Sequence, residues 1–375
     1  MYRNKREITM KHISFGALCA VLMFNANAFA TPISHLHADG VTMNNIAVMQ
    51  HSIMLNAFNN FDGSMAGIIE RHAQKPAKSE PVEESVQPNQ IDRYGEMLYY
   101  GEYGDDGTVF TAPGRGRNGG DGEQNLSLWL DWQHAQDYAK FDNFKRIDSN
   151  YDLISLGFAD EFNSTSQHYS KFGGFGGVAL GREKAPDVVK LSETGEYVGL
   201  YYAYHVQGLT IQTAGDFGAM FTDAKSDYSK HDFTNLWAGA GVNASYDIFL
   251  DESSVLQPAL YLGYTWIRTN GYEPMPGVAV DNFHIFEVSP ALRAVTHITD
   301  GWYGAMSARY VFNFSHGGDI RDAGVTLPDL ELLNYYEYGL SVEKTIDRFN
   351  FALSVNRRDG GRTGWNGNIR MKYMF

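Results

Sequence analysis

An alternation of apolar and polar residues with a period of two runs through the greater part of the chain, from Asn125 to Phe375. In its first run, Leu126, Leu128 and Leu130 share one face. Because successive side chains of a β-strand point to opposite faces, such runs predict strands with one apolar face. About twelve strands are predicted, near residues 125–133, 150–160, 171–181, 195–206, 208–221, 233–247, 254–268, 282–297, 301–314, 332–344, 348–358 and 365–375.

The other face of these runs is small or polar rather than richly charged, and this decides between two architectures. A soluble β-sandwich points its apolar face inward and carries charges outside. A transmembrane barrel points its apolar face at lipid and carries aromatic residues near both membrane interfaces. Aromatics here reach 14% of the residues, with 23 Tyr and 23 Phe, while the mean hydropathy is −0.33. The sequence therefore predicts an all-β fold, a transmembrane antiparallel up-and-down β-barrel of about twelve strands, with an N-terminal helical segment.

The predicted connections alternate between tight turns and long polar loops. The tight turns fall at Gln207-Gly208, Thr299-Asp300-Gly301 and Thr345-Ile346-Asp347. The long loops fall near 182–194, 222–232, 269–281 and 315–331. Bacterial barrels have short turns in the periplasm and long loops outside, so an even strand count places both ends of the barrel sequence in the periplasm.

The first 30 residues predict a cleaved secretory signal peptide. Four basic residues precede an apolar run over 13–24, and Ala28 and Ala30 provide a small-x-small cleavage site. The only cysteine, Cys19, lies inside this segment, so the mature chain forms no disulfide. Removing the four basic residues and Glu7 changes the formal net charge from −14 to −17, which argues against nucleic acid as a partner.

Residues 31–124 separate the signal from the barrel. Apolar residues at spacings of three to five predict a helical segment over 31–74, interrupted or kinked at Asp62-Gly63-Ser64. A linker with three prolines over 75–90 and a Gly-rich loop over 101–124 follow. The predicted domains are a signal peptide at 1–30, a short passenger-like helix and linker region at 31–124, and a barrel at 125–375.

The final strand alternates without interruption and ends in an aromatic residue. Asn366, Asn368, Arg370 and Lys372 form its polar face. Its apolar face consists of Trp365, Ile369, Met371, Tyr373 and Phe375. A terminal Phe, with apolar residues stepping back by two, resembles the signal that the outer-membrane barrel assembly machinery recognises. The resemblance implies this machinery, periplasmic chaperones and outer-membrane lipid as partners, and we expect a monomer.

Residues 125–375 resemble the β-domain of autotransporters, the translocators of type V secretion. The resemblance rests on the order of NLSLWLDW, YDLISLGFADEF, GGFGGVALG and the Phe-terminated last strand. It implies a twelve-stranded barrel in the outer membrane of a Gram-negative bacterium, with an upstream helix that threads the pore, for which 42–74 is the candidate. Autotransporters usually carry a long passenger, whereas about ninety residues lie between signal and barrel here, without β-helix repeats.

The leading hypothesis is a translocator that carries a short or vestigial passenger to or through the outer membrane. A small pore or structural barrel plugged by its N-terminal helix is the first alternative. A surface adhesin that binds through its long loops is the second. Candidate lumen-facing residues, which would set the electrostatics of a pore, are Asp131, Arg293, Arg309, Glu337, Glu343 and Arg370.

No enzyme, metal site or cofactor is predicted. The sequence contains no G-x-S-x-G or H-E-x-x-H motif. Some autotransporters cut their passenger inside the pore at paired Asn residues, and the candidate pairs here are Asn44-Asn45 and Asn59-Asn60, with Asp131 or Glu337 to assist. Adjacent Asn residues are also common on polar helix faces, so these pairs do not by themselves indicate cleavage.

Overall fold

The computed structural model describes residues 38, 40–60, 64–73, 125–141, 144–162, 168–185, 189–225, 230–270, 279–322, 325–327 and 331–375. The predicted signal peptide with Ala28 and Ala30, the linker at 75–90 and the Gly-rich loop at 101–124 lie outside the described residues. Two helices and a large antiparallel sheet make up most of the described chain.

The sheet is a closed antiparallel barrel of 12 strands, which confirms the predicted fold class. Each strand pairs with its neighbours in sequence, and the last strand pairs with the first, for example Met371 with Leu130. The barrel strands are β1 (Asn125–Phe141), β2 (Phe144–Phe162), β3 (His168–Ala185), β4 (Val189–Val206), β5 (Leu209–Lys225), β6 (Lys230–Tyr246), β7 (Ser254–Asn270), β8 (Phe283–Thr299), β9 (Trp302–Gly317), β10 (Tyr335–Ile346), β11 (Phe349–Gly360) and β12 (Arg362–Met374).

The two ends of the barrel differ, and we name them by their connections. The turn end holds the start of β1, the C-terminus and the connections at 207–208, 300–301 and 347–348. Gln207-Gly208 and Asp300-Gly301 have positive φ at both residues, as a type I′ hairpin turn requires. The third predicted tight turn lies slightly later than expected, at Asp347-Arg348. At the loop end, three short strands, Ala279–Val280, Ile320–Asp322 and Val325–Leu327, pair with one another.

A band of exposed apolar side chains surrounds the half of the barrel nearer the turn end. On β4 it includes Val198, Leu200 and Tyr202, and Leu200 is 58% exposed. Elsewhere in the band Leu156 is 65% exposed and Phe217 is 64% exposed. The stretch from Val198 to Val206 matches the roughly 9–11 residues of a membrane-spanning strand. This band is the lipid-facing surface of the barrel.

Two predicted loops, at 182–194 and 222–232, are wrong, because strands occupy most of both segments. β3 runs to Ala185 and β4 begins at Val189, while β5 runs to Lys225 and β6 begins at Lys230. Beyond the lipid-facing band the alternation continues with its polarity inverted: Lys190 and Ser192 point outward and are exposed, whereas Val189 and Leu191 are buried. The polar composition suggested loops, although water outside the barrel accepts polar side chains on a strand equally well.

Two helices lie against the inside of the barrel. Helix α1 covers residues 40–60 and α2 covers Met65–Ala73. They are separated at the predicted interruption, of which Ser64 is described and 61–63 are not. Among the described residues, no helix has the length and apolar character needed to cross a bilayer.

Helix α1 runs in a defined direction along the barrel. Near its start, Ala38 and Val41 belong to one apolar cluster with residues of the loop end: Ala139, Ile147, Val189, Leu191, Ala224 and Phe233. Helix α2 lies at the turn end, where Met65 and Ile68 share a cluster with Val255, Val295, Tyr303 and Ala305. The N-terminus of α1 therefore points to the loop end, and the chain leaves α1 toward the turn end.

Candidate functional site: the plugged lumen

Helix α1 is buried on nearly all faces although it carries many polar side chains. Its buried polar residues are Thr42, Asn44, Asn45, Gln50, His51, Ser52 and Asn60. Its buried apolar residues include Met43, Ile46, Met49, Ile53, Met54 and Phe58, which pack in one cluster with Trp129, Tyr151, Phe175, Tyr201, Trp237 and Tyr261 of the wall. Buried polar groups are costly unless they are hydrogen-bonded. The wall must therefore supply partners along the length of the helix.

Near the loop end, two amide side chains of α1 bind carboxylates of the wall. Asn45 Nδ2 donates to Glu193 Oε2 at 2.6 Å, and Ser149 Oγ donates to Asn45 Oδ1 at 3.2 Å. One turn and a half further on, Gln50 Oε1 accepts from Thr265 Oγ1 at 2.8 Å. Gln50 Nε2 lies 3.4 Å from Asp216 Oδ1. These contacts tie the helix to β2, β4, β5 and β7 of the wall.

At mid-height, a network around Arg358 faces α1. Arg358 is 1% exposed, and its Nε donates to Glu337 Oε2 at 2.8 Å. Its Nη1 donates to Asp137 Oδ2 at 3.0 Å, and its Nη2 lies 3.4 Å from Ser52 Oγ of the helix. On another face of the helix, His51 Nδ1 lies 2.8 Å from Glu287 Oε1. Charged wall residues thus surround the centre of the helix.

The last turn of α1 contacts β1 and β12. Asn56 Nδ2 donates to Gln133 Oε1 at 2.8 Å, and lies 3.2 Å from Asp131 Oδ1. Two cations of β12 donate to helix carbonyls: Arg370 Nη1 to Asn59 O at 2.9 Å, and Lys372 Nζ to Asn60 O at 3.3 Å. The last carbonyls of a helix lack intrahelical partners and carry partial negative charge. These two cations therefore cap the helix C-terminus.

Glu343 on β10 caps the other helix. Its carboxylate accepts from the backbone N–H groups of Met65 and Ala66 at 3.1 Å each, and from Ser64 Oγ at 2.9 Å. Arg370 Nη2 donates to the same carboxylate at 3.0 Å. An acid at a helix N-terminus satisfies its unpaired N–H groups and is favoured by the helix dipole. One Arg–Glu pair thus contacts both the end of α1 and the start of α2.

The six predicted lumen residues fall into three groups. Asp131, Glu343 and Arg370 contact the helices, whereas Glu337 binds Arg358 of the wall. Arg293 and Arg309 line a polar cavity of about 180 Å³ that remains beside α1. Of the Asn pairs, Asn59-Asn60 lies beside Asp131 and Arg370, with Asn60 Nδ2 at 3.4 Å from Asp131 Oδ2.

Sequence reasoning missed several residues that contact the helix or belong to the network around Arg358. They are Asp137, Glu193, Asp216, Glu287 and Arg358. All five lie at inward-facing positions of their strands. The sequence feature that could have indicated them is therefore their place in the alternation of inward and outward residues. Within the described part of the chain, no group of three or more His, Cys, Asp or Glu residues is arranged to hold a metal ion.

The predicted assembly face lies on the outside of β12. Trp365 and Phe375 are each 55% exposed, and Ile369 and Met371 are also exposed. Tyr373 is half-buried, with its ring centroid 4.9 Å from those of Phe349 and Phe375. Phe375 N donates to Leu126 O at 3.0 Å, so the last residue takes part in the closure of the barrel.

Comparison with solved structures identifies barrels of the same architecture. The transport unit of the autotransporter AIDA-I from Escherichia coli has a TM-score of 0.55 at 15% identity, over 69% of this chain and 93% of that one. The β-domain of the Bordetella autotransporter BrkA has a TM-score of 0.54 at 17% identity, over 67% of this chain and 100% of that one. The translocator domain of autotransporter NalP from Neisseria meningitidis has a TM-score of 0.52 at 9% identity, over 67% and 89%.

No protein-family model and no curated protein matches the sequence. The similarity therefore lies in the fold, which in this chain is a closed antiparallel barrel of 12 strands. It confirms at the level of fold the resemblance drawn from the strand motifs. The chain has the fold of autotransporter translocator domains.

Proposed function

We propose that this protein is an outer-membrane translocator that carries its own short N-terminal segment across the membrane and keeps α1 as a plug. The observation that carries the proposal is the direction of α1: its start packs at the loop end and α2 packs at the turn end. Short turns of bacterial barrels face the periplasm. With that orientation, residues before 38 leave the lumen on the outer side.

The contacts of α1 support a retained plug rather than an open pore. The wall holds the helix near its start through Glu193, at its centre through Arg358, and at its end through Arg370 and Lys372. Hydrogen bonds to charged groups each contribute about 1.5–3 kcal/mol. If α1 left the lumen, several of these hydrogen bonds would break together, and the buried carboxylates and cations of the wall would lose their partners on the helix. The short segment ahead of α1 is the passenger in this proposal.

The test is to place an epitope tag directly after Ala30 and to treat intact cells with external protease. We expect the tag to be lost, because the segment ahead of α1 emerges at the outer surface. A matched chain with the same tag inserted at Asp347-Arg348, in the turn end, should keep it until the outer membrane is opened. If the N-terminal tag is protected as well as the turn tag, nothing is carried outward and the protein is a structural barrel.

A further inference from the structure

A shallow groove of about 600 Å³ crosses the outside of the barrel over β12, β1, β2, β3 and β4. Its outward-pointing side chains include Arg182, Lys184 and Lys190, and all three are exposed. Trp365 forms its edge on the side of β12. The groove lies directly beyond the lipid-facing band, since Leu180, two residues before Arg182, is an exposed apolar residue 45% accessible.

The cations of this groove lie close together. Lys184 and Lys190 are direct cross-strand partners, and Lys190 is in turn the partner of Lys225. Like charges directly opposite each other destabilise a sheet. Among the ion pairs between residues that the structure describes, none involves Arg182, Lys184 or Lys190. The arrangement costs stability by itself and would gain stability from a bound anion.

The rest of the lining leaves the groove positive. Arg357 lies over the ring of Trp365 at 5.1 Å and pairs with Asp359 at 2.9 Å. Asp148, the cross-strand partner of Lys184, is one of three carboxylates in the lining; the other two, Asp137 and Glu183, are buried on the inward face. On the outward face of the groove, the excess of positive charge is therefore carried by Arg182, Lys184 and Lys190.

The position of the groove selects the source of the anion. A lipid anchored beside Leu180 brings its headgroup to Arg182 and Lys184 without leaving the bilayer. Guanidinium groups bind phosphate oxygens in pairs and ammonium groups bind them as point charges, and Trp prefers the membrane interface. We propose that the groove binds the phosphorylated headgroup of a lipid in the outer leaflet. The proposal rests on the barrel orientation given above, but not on the passage of the N-terminal segment.

The experiment uses the full chain in detergent, with diphosphorylated lipid A, dephosphorylated lipid A and inorganic phosphate as probes. We expect diphosphorylated lipid A to bind and to raise the Tm of the wild-type protein. The K184Q/K190Q variant should bind it about thirtyfold more weakly, because two lysine charges near the headgroup are lost. The K344Q/R348Q variant, which loses the same charge at the turn end, should bind like wild type.

Each contrary result overturns the proposal in a recognisable way. Equal binding by both variants, or equal loss in both, removes the groove as the site. Equal affinity for dephosphorylated lipid A shows that acyl chains rather than phosphates are recognised. Equal affinity for inorganic phosphate shows a free-anion site instead of a lipid site. Purified protein in detergent has no inner or outer side, so these results are independent of the outcome of the tag experiment.

Discussion

Arg370 is the residue at which the barrel wall, α1 and α2 meet. It donates to Asn59 O at the end of α1 and to the Glu343 carboxylate that caps α2. Helix ends leave carbonyls unpaired and helix starts leave N–H groups unpaired. A single cation–anion pair from β10 and β12 therefore satisfies backbone groups at the end of α1 and at the start of α2. The Arg370 cation lies at the negative end of the α1 dipole, and the Glu343 carboxylate lies at the positive end of the α2 dipole.

Replacing Arg370 tests whether its ion pair with Glu343 anchors the ends of the two helices. We expect Arg370→Met to lower the free energy of unfolding by about 3–5 kcal/mol, because Glu343 is left buried without its partner. The measurement is denaturant unfolding in detergent micelles. Arg348→Gln, at an exposed turn position, should stay within about 0.5 kcal/mol of wild type. The double variant R370M/E343L should recover part of the loss, and an R370M protein as stable as wild type would contradict the anchoring role.

The period of two was enough to assign Asp131, Glu343 and Arg370 to the inner face of predicted strands. It was not enough to find Glu193, which lies in a segment predicted as loop, or Asp137, which lies beyond the predicted end of β1. Their partners were also out of reach, since the pairing of Asn45 with Glu193 joins residues 148 positions apart. A contact across the lumen depends on how far α1 is inserted and how it is rotated, and neither is encoded in a local pattern.

Strands of this barrel have two zones that obey opposite rules. Toward the turn end, outward side chains such as Leu200 are apolar and exposed to lipid, while toward the loop end outward side chains such as Ser192 are polar. The inward side reverses in part as well, with Leu191 buried near the start of α1. The edge of the membrane on β4 therefore lies between Ser192 and Val198.

A charge placed in either zone distinguishes them. Leu200→Arg should reduce the free energy of folding into lipid vesicles by about 2–4 kcal/mol, the cost of Arg near the bilayer midplane on a barrel. Ser192→Arg, on the same strand and the same outer face, should cost no more than about 1 kcal/mol. Unfolding titrations in vesicles measure both. Equal costs at the two positions would place the membrane edge elsewhere on β4.

The number and order of strands were predictable because each lipid-facing run is both apolar and alternating. The lengths were not, because the extensions of β3 to β6 carry polar outer faces that resemble loops in composition. Hydrogen bonding between neighbouring strands continues into these extensions, as the pairing of Lys184 with Lys190 illustrates. A criterion based on apolar alternation therefore detects each strand only as far as the edge of the lipid.

In the whole molecule, the ring of strands and the plug are held by different interactions. The ring closes through backbone pairing between β1 and β12, with partners such as Asp131 and Arg370. The plug is held by side chains that project from that ring into the lumen. A closed ring leaves no unpaired strand edge, so backbone pairing stabilises the barrel whether or not α1 is present. The plug, in contrast, decides how much of the lumen stays open.

Deleting residues 38–73 should therefore convert a sealed barrel into a conducting one. In planar bilayers we expect low conductance from the full chain, in which a cavity of about 180 Å³ remains beside α1, and a stable open channel from the deletion. A chain that lacks residues 75–90 but keeps both helices is the matched control and should stay closed. The altered mobility of the unheated barrel on gels verifies that each protein has folded. A folded deletion protein that conducts no better than the full chain would show that these helices do not seal the lumen, and a deletion protein that fails to fold would show that ring and plug form together.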